Sequence, residues 1–297
     1  MNTYAHNMMT EPLGNLLKSL CLPTFASAYQ KIAESFELEK KTHTDYLYEL
    51  TMQELEHRRN QRIVRLIKQA KLSRDKLLID FDISRIPGLS PAKIQSLAKG
   101  DFIEGAENII IFGNPGTGKT HLSIALAREW CMQGRRVLYL TAANLVQQLL
   151  EAKASLKLRQ FIKKLDYFEV LVIDDISYVP YSRDETDVLF TLMAERYEMR
   201  SLLVTSNLAF ADWNTIFKDE MTTSAAIDRL VHHSSILELN TESYRVATAK
   251  GRKKTKDVEK STVAADATES AQVNDFTDTN KHVNNHATKN GENDNMF

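Results

Sequence analysis

The sequence predicts an α/β protein with a parallel sheet between helices, preceded by a small all-helical segment. Three observations carry this. Between residues 107 and about 247, five short and almost wholly apolar runs alternate with longer helical patterns, as expected for strands buried on both faces. The first run leads straight into a glycine-rich loop, GNPGTGKT at 113–120, which opens a helical pattern. Residues 12 to about 76, by contrast, show apolar residues at helical spacing and no strand signal.

In the N-terminal segment Leu13, Leu16, Leu17 and Leu20 recur at helical spacing, as do Tyr46, Leu47, Leu50 and Leu55. Pro23 stands where it can open the second helix, and Thr44 is placed to cap the helix that runs through Glu54 and beyond. Residues 77–106 read as a connector, because IPGLSP at 86–91 holds two prolines and a glycine. A short helix is expected from Ala92 to Lys99. The expected strands are IIIF (109–112), VLYL (137–140), VLVI (170–173), LLVT (202–205) and ILEL (236–239), with helices at 119–133, 144–164 and 184–199 between the first four. The result is an α/β sandwich spanning 107–250. The composition changes beyond Gly251, and residues 261–297 are poor in large apolar groups and rich in Asn, Asp, Thr and Ala, so residues 251–297 are expected to form a disordered polar tail.

The formal net charge of the 297 residues is -1, so only the local distribution of charge can point to partners. Cys21 and Cys131 are the only cysteines and form no CxxC pair, which argues against a disulfide framework or a zinc site and for a reduced, cytoplasmic compartment. No apolar run reaches the roughly 20 residues of a membrane span. The first residues lack a basic stretch followed by an apolar one, so no signal peptide is expected.

The loop Gly113, Asn114, Pro115, Gly116, Thr117, Gly118, Lys119, Thr120 matches G-x-x-x-x-G-K-[ST] and has a strand before it and a helix after it. Backbone amides of such a turn converge on phosphate oxygens, and the start of the following helix favours negative charge. Lys119 is expected on the β- and γ-phosphates and Thr120 on magnesium. The run VLVIDD ends an apolar strand in two acids. Asp174 can reach the magnesium through water, and Asp175 stands where an acid can polarise the attacking water, although an aspartate reaches less far than a glutamate. LLVTSN ends in Asn207, placed to orient water beside the γ-phosphate; the rival reading is a turn-forming asparagine. In AAIDRLVHH, Arg229 is a candidate to reach a neighbouring subunit's γ-phosphate, the rival being a surface ion pair with Asp228. Adjacent helical residues point about 100° apart, so His232 and His233 are not expected to share a metal.

Arg58, Arg59, Arg62, Arg65, Lys68 and Lys71 lie in a strongly basic stretch with few aromatics. That composition suits a sequence-tolerant contact with nucleic-acid phosphates, and it equally suits a solvated helix face. A second basic cluster, Lys153, Lys157, Arg159, Lys163 and Lys164, could line the inner face of a ring or filament, and it equally suits a solvated helix.

Together these motifs resemble the IstB family of AAA+ ATPases, the ATP-binding helper proteins of transposons, which are related to the DnaC helicase loaders. The resemblance runs from Leu17–Tyr29, with its LxxLxLxxFAxxY pattern, through ELEHRRNQRIVRLIKQAKL, FGNPGTGKTHLSIALA, VLVIDDISYVP and LLVTSN to AAIDRLVHHSSILELNTESYR. It implies a P-loop AAA+ core behind a helical N-terminal domain, with ATP and Mg2+ as cofactors. It adds His121 to the nucleotide-binding stretch and offers Arg245 as a weak second sensor. It also implies self-association with ATP, binding to double-stranded DNA of little sequence preference, and support of a separate cognate transposase, with hydrolysis driving disassembly. A replicative helicase loader and a nucleotide-gated binding module without useful turnover are the alternatives.

Overall fold

The structure, a computed structural model, describes residues 12–39, 41–177, 181–217, 220–241 and 243–244. The chain divides into two units, 1–241 and 242–297, and every element below lies in the first. The expected tail at 251–297 and Arg245 fall outside the described residues.

Three helices come first: α1 (Leu13–Ser19), α2 (Pro23–Glu39) and α3 (His43–Gln69). Pro23 opens α2 as expected. The cap of α3 is not Thr44 but Thr42, whose side chain accepts from the Asp45 amide while the Asp45 carboxylate accepts from the Thr42 amide. This reciprocal box satisfies two otherwise unpaired amides, a stronger stop than Thr44 offers. Buried Glu54 of α3 ties the hairpin together: it accepts from the Thr24 amide at 3.0 Å and from Arg58 Nε at 2.7 Å.

After a connector with a 3₁₀ turn at Ile83–Arg85 come α4 (Pro91–Lys99), β1 (Asn108–Phe112), α5 (Lys119–Met132), β2 (Val137–Thr141), α6 (Ala142–Ala154), α7 (Leu158–Leu165) and β3 (Val170–Asp174). The chain continues through α8 (Arg183–Arg196), β4 (Ser201–Ser206), α9 (Asn214–Phe217), α10 (Glu220–Val231) and β5 (Ser234–Glu238). The helix expected over 144–164 is therefore two helices. They are separated at Leu156, which takes a left-handed φ of 58° with no glycine or proline to announce it.

All strand pairs are parallel, in the order β2-β3-β4-β1-β5. Alternate residues serve opposite faces. Ile110, Leu138, Leu171, Ile173 and Val204 pack with α6 to α10, while Ile109, Ile111, Val170, Val172 and Leu203 pack with α3, α4 and α5. The sheet is thus buried on both sides, which is why its strands read as apolar runs. β2 is an edge strand, and its Tyr139 amide donates to the Ala70 carbonyl just beyond α3 at 3.0 Å. The end of the N-terminal helix therefore covers the open edge, with Leu66 and Ala70 buried among the sheet residues. Among the described residues no helix is long and apolar enough to cross a membrane.

Two positions make this framework testable. Arg196 is wholly buried, and its guanidinium donates to the carbonyls of Leu165 at 3.0 Å, Phe168 at 3.1 Å and Ser201 at 3.2 Å. It thereby closes α7, α8 and β4 on one another. Arg196→Met removes the donor and strands buried acceptors, so urea denaturation should show a loss of roughly 3–5 kcal/mol. Gly113 has φ 150°, and a Cβ there would stand 2.3 Å from the Leu239 carbonyl oxygen. Gly113→Ala must push the end of β5 away from β1, which should cost about 1–3 kcal/mol by the same measurement.

Candidate functional site

The site forms at the C-terminal ends of β1, β3 and β4, where open parallel sheets place their ligands. β4 lies between β1 and β3, so Asn207, just past β4, emerges between the phosphate loop and the acid pair. The loop turns on Gly113, Gly116 and Gly118, all at positive φ, and opens α5, whose first amides have no partner within the helix.

Lys119 is buried, and its Nζ donates to the carbonyls of Gly113 at 2.7 Å and Asn114 at 2.9 Å. The ammonium group is thereby held over the cradle of the loop. Thr117 is also buried and braces the tip, its hydroxyl donating to Asn114 O at 2.9 Å. Asn114 and Pro115 are exposed at that tip.

Asp174 is 5% exposed and gathers three hydroxyls. Thr120 Oγ1 lies 3.1 and 3.0 Å from its two oxygens, Tyr139 OH donates at 2.7 Å, and Thr205 Oγ1 donates at 2.7 Å. Burial first, and then the Asp174 carboxylate, pushes the Tyr139 phenol well above its ordinary range, so it stays a proton donor. Thr205 also accepts from the Asp175 amide at 2.7 Å, linking the two acids through one hydroxyl. Thr120 and Asp174 present hard oxygen donors side by side, the ligand type magnesium takes.

Asp175 sits at a left-handed φ of 61°, a conformation that costs a non-glycine residue about 1–2 kcal/mol. Its carboxylate accepts from Asn207 Nδ2 at 2.7 Å, and the Asn207 amide in turn donates to Ser177 Oγ at 2.7 Å. Sequence reasoning proposed Asp175 and Asn207 separately, and the structure brings them into direct contact. It missed Tyr139 and Thr205, whose only signal was a hydroxyl inside an otherwise apolar strand.

His121 faces the connector instead of the loop. Its Nε2 lies 2.8 Å from the Leu77 carbonyl, and its ring is 5.6 Å from that of Phe81. Phe81 also crowds Gly118, where a Cβ would meet the ring at 3.0 Å. The connector is therefore packed against the phosphate loop.

Arg229 lies apart from these residues. Its guanidinium stacks over the Phe190 ring at 4.8 Å and donates to Ala225 O at 3.1 Å. Past the end of α10, His232 and His233 lie in a turn, so the helical-spacing argument does not apply to them. Their ligand atoms fall within 4.8 Å of each other and of Glu198. In the basic stretch, Arg58 is bound to Glu54 and to the Cys21 carbonyl at 2.6 Å. Arg59, Arg62, Arg65, Lys68 and Lys71 are exposed. Lys153 of the second cluster pairs with Asp184 at 2.8 Å. Cys131 is buried, which raises its thiol to about 12 and makes it a poor nucleophile.

Known proteins resemble this chain in sequence and in fold. The chain is 40% identical over 242 residues to a protein of Sinorhizobium fredii named as an insertion sequence ATP-binding protein, the match covering 81% of each. It is 36% identical over 231 residues to the one named for insertion sequence IS21 in Pseudomonas aeruginosa, covering 78% of this chain and 87% of that protein. A solved structure described as a DNA replication initiation factor superposes with a TM-score of 0.50 at 19% identity, covering 63% of this chain and 56% of that one, and supports the fold alone. The family described as IstB-like ATP binding protein matches residues 15–252, from α1 to beyond β5. With that family match and these relatives, and with its P-loop AAA+ core, the chain belongs to the IstB-like ATP-binding protein family.

Proposed function

We propose that this chain is an ATPase that regulates transposition: with ATP it assembles on target DNA of little sequence preference and stimulates a separate cognate transposase, and hydrolysis takes the assembly apart. The observation that carries the reading is the contact between Asp175 and Asn207 beside the Thr120–Asp174 pair, which puts an acid for water next to a magnesium-type donor set. The insertion-sequence names of the relatives support the transposition context. The reading keeps a helical segment (1–76), a connector (77–106) and an ATPase domain (107–250), and places the protein in the cytoplasm.

In this mechanism Lys119 exchanges the carbonyls of Gly113 and Asn114 for phosphate oxygens, and the loop amides hold the rest of the triphosphate. Mg2+, held by Thr120 and through water by Asp174, would neutralise charge developing on the phosphate oxygens. Asp175, oriented by Asn207, takes the proton of the attacking water. Its short side chain favours slow turnover, which suits a timer. Arg229, resting on Phe190 in a single chain, is offered to the neighbouring subunit's γ-phosphate.

The first test is binding to duplex DNA of unrelated sequences with ATP, ADP or no nucleotide, read together with particle size. ATP-dependent assembly is expected. No binding in any nucleotide state would overturn the reading and favour a protein-remodelling role such as helicase loading. Lys119→Ala should abolish ATP binding in equilibrium titration. Asp175→Asn should still assemble with ATP while phosphate release falls about 100-fold or more. Arg229→Ala should bind ATP normally but lose about 1000-fold in turnover. Mixing it with Lys119→Ala chains should restore part of the activity, since each supplies what the other lacks; no recovery on mixing would rule out action in trans.

A further inference from the structure

A cleft of about 620 Å³ opens at the other end of the sheet, where α3 crosses the start of β2 and β3. Arg62 and Arg65 of α3 form one wall. Arg135 and Arg136, immediately before β2, form the other, with Tyr167 and Glu169 before β3. Four arginines and one acid, Glu169, therefore line the cleft, with Arg62 and Arg65 some seventy residues from Arg135 and Arg136 in the chain. The geometry points to a phosphodiester-binding groove for the DNA backbone; this rests on the DNA-binding reading above and gives that activity a surface.

The wall is preorganised. Glu169 accepts from Arg135 at 3.2 Å and from Arg136 at 3.4 Å, which fixes both side chains, and Arg136 lies over the Tyr167 ring at 4.7 Å. Arg135 also pairs with Glu104. Across the cleft, Arg62 donates to the Gly134 carbonyl at 3.2 Å and Arg65 to Gln61 in its own helix at 3.3 Å; neither has an acidic partner among the described residues. Their positive charge is left for a ligand. Arg58 is excluded from this surface by its bond to Glu54, which shifts the centre of the basic stretch toward the C-terminal half of α3.

The groove is not an extension of the nucleotide site. The phosphate loop follows the C-terminal end of β1, while Arg135, Arg136 and Glu169 precede the N-terminal ends of β2 and β3. Five-residue strands separate the two ends by about 16 Å. An anion in the groove does not compete with ATP. An open cleft walled by guanidinium groups on both sides suits a chain of evenly spaced single charges, and bidentate guanidinium contacts to phosphate are strong ones.

The test uses the full chain with saturating ATP and a fluorescent duplex of arbitrary sequence, titrated by anisotropy from 50 to 200 mM KCl. Each phosphate contact contributes about 0.9 to the slope of log K against log salt. The double variant R62Q/R65Q should lose affinity at least tenfold and lower the slope by about 1.8. R136Q should lower it by about 0.9, while R136K recovers most of the slope. K31Q, which removes one charge from an exposed site on α2, should change neither, and ATP affinity should be unaltered in all, which also reports that the fold is intact. Wild-type binding that the groove variants leave unchanged would overturn the groove while the DNA-binding reading stands. A wild-type chain that binds no DNA in any nucleotide state would overturn both. Displacement of the duplex by polyglutamate or inorganic triphosphate at matched charge would reassign the groove to an acidic peptide or a compact phosphate.

Discussion

The structure turns on one carboxylate. Asp174, at the end of the interior strand β3, is held by hydroxyls from three other parts of the chain: Thr120 at the start of α5, Tyr139 on β2 and Thr205 on β4. A buried charge is costly unless it is hydrogen-bonded, so these contacts satisfy the acid and lock the phosphate loop to the sheet in the same step. Because Thr205 also accepts the Asp175 amide, the second acid is placed by the same hydroxyl. The two acids of the candidate site and the phosphate loop are thus tied to the sheet by one set of bonds.

The N-terminal helices and the connector that follows them join this core at several places. The Ala70 carbonyl completes the edge of β2, and the connector that follows packs Leu77 and Phe81 on His121 and Gly118. Arg128 of α5 also donates to the Ser73 carbonyl at 2.8 Å. Residues 70–81, just after α3, therefore run from the end of the helix that lines the arginine cleft to the nucleotide site. In the proposed function this segment, with β2 and β3, is a covalent link by which a nucleotide could alter the surface presented to DNA.

How much of this could be read in advance follows from the range of each interaction. The strands, the phosphate loop and the acid pair were legible because burial on both faces makes apolar runs, and phosphate binding needs glycines and a lysine at fixed spacing. The break at Leu156 was not, because an exposed residue at positive φ without glycine leaves no local mark. The cap at Thr42 was legible in principle, through its partner Asp45 three residues on. Arg196 resembled any helix-terminal arginine, although it is buried with three carbonyl acceptors.

By itself the sequence determined the strands and most of the helices, the phosphate loop with its acid pair, and membership in an ATP-binding AAA+ family, since these depend on periodicity and on contiguous motifs. Only the tertiary structure decided that β4 lies between β1 and β3, so that Asn207 meets Asp175. Only it placed Tyr139 and Thr205 on Asp174 and set Arg62 and Arg65 opposite Arg135 and Arg136. Each of these is a contact between segments far apart in the chain, and such contacts are specified by how the layers pack and not by any local pattern of residues.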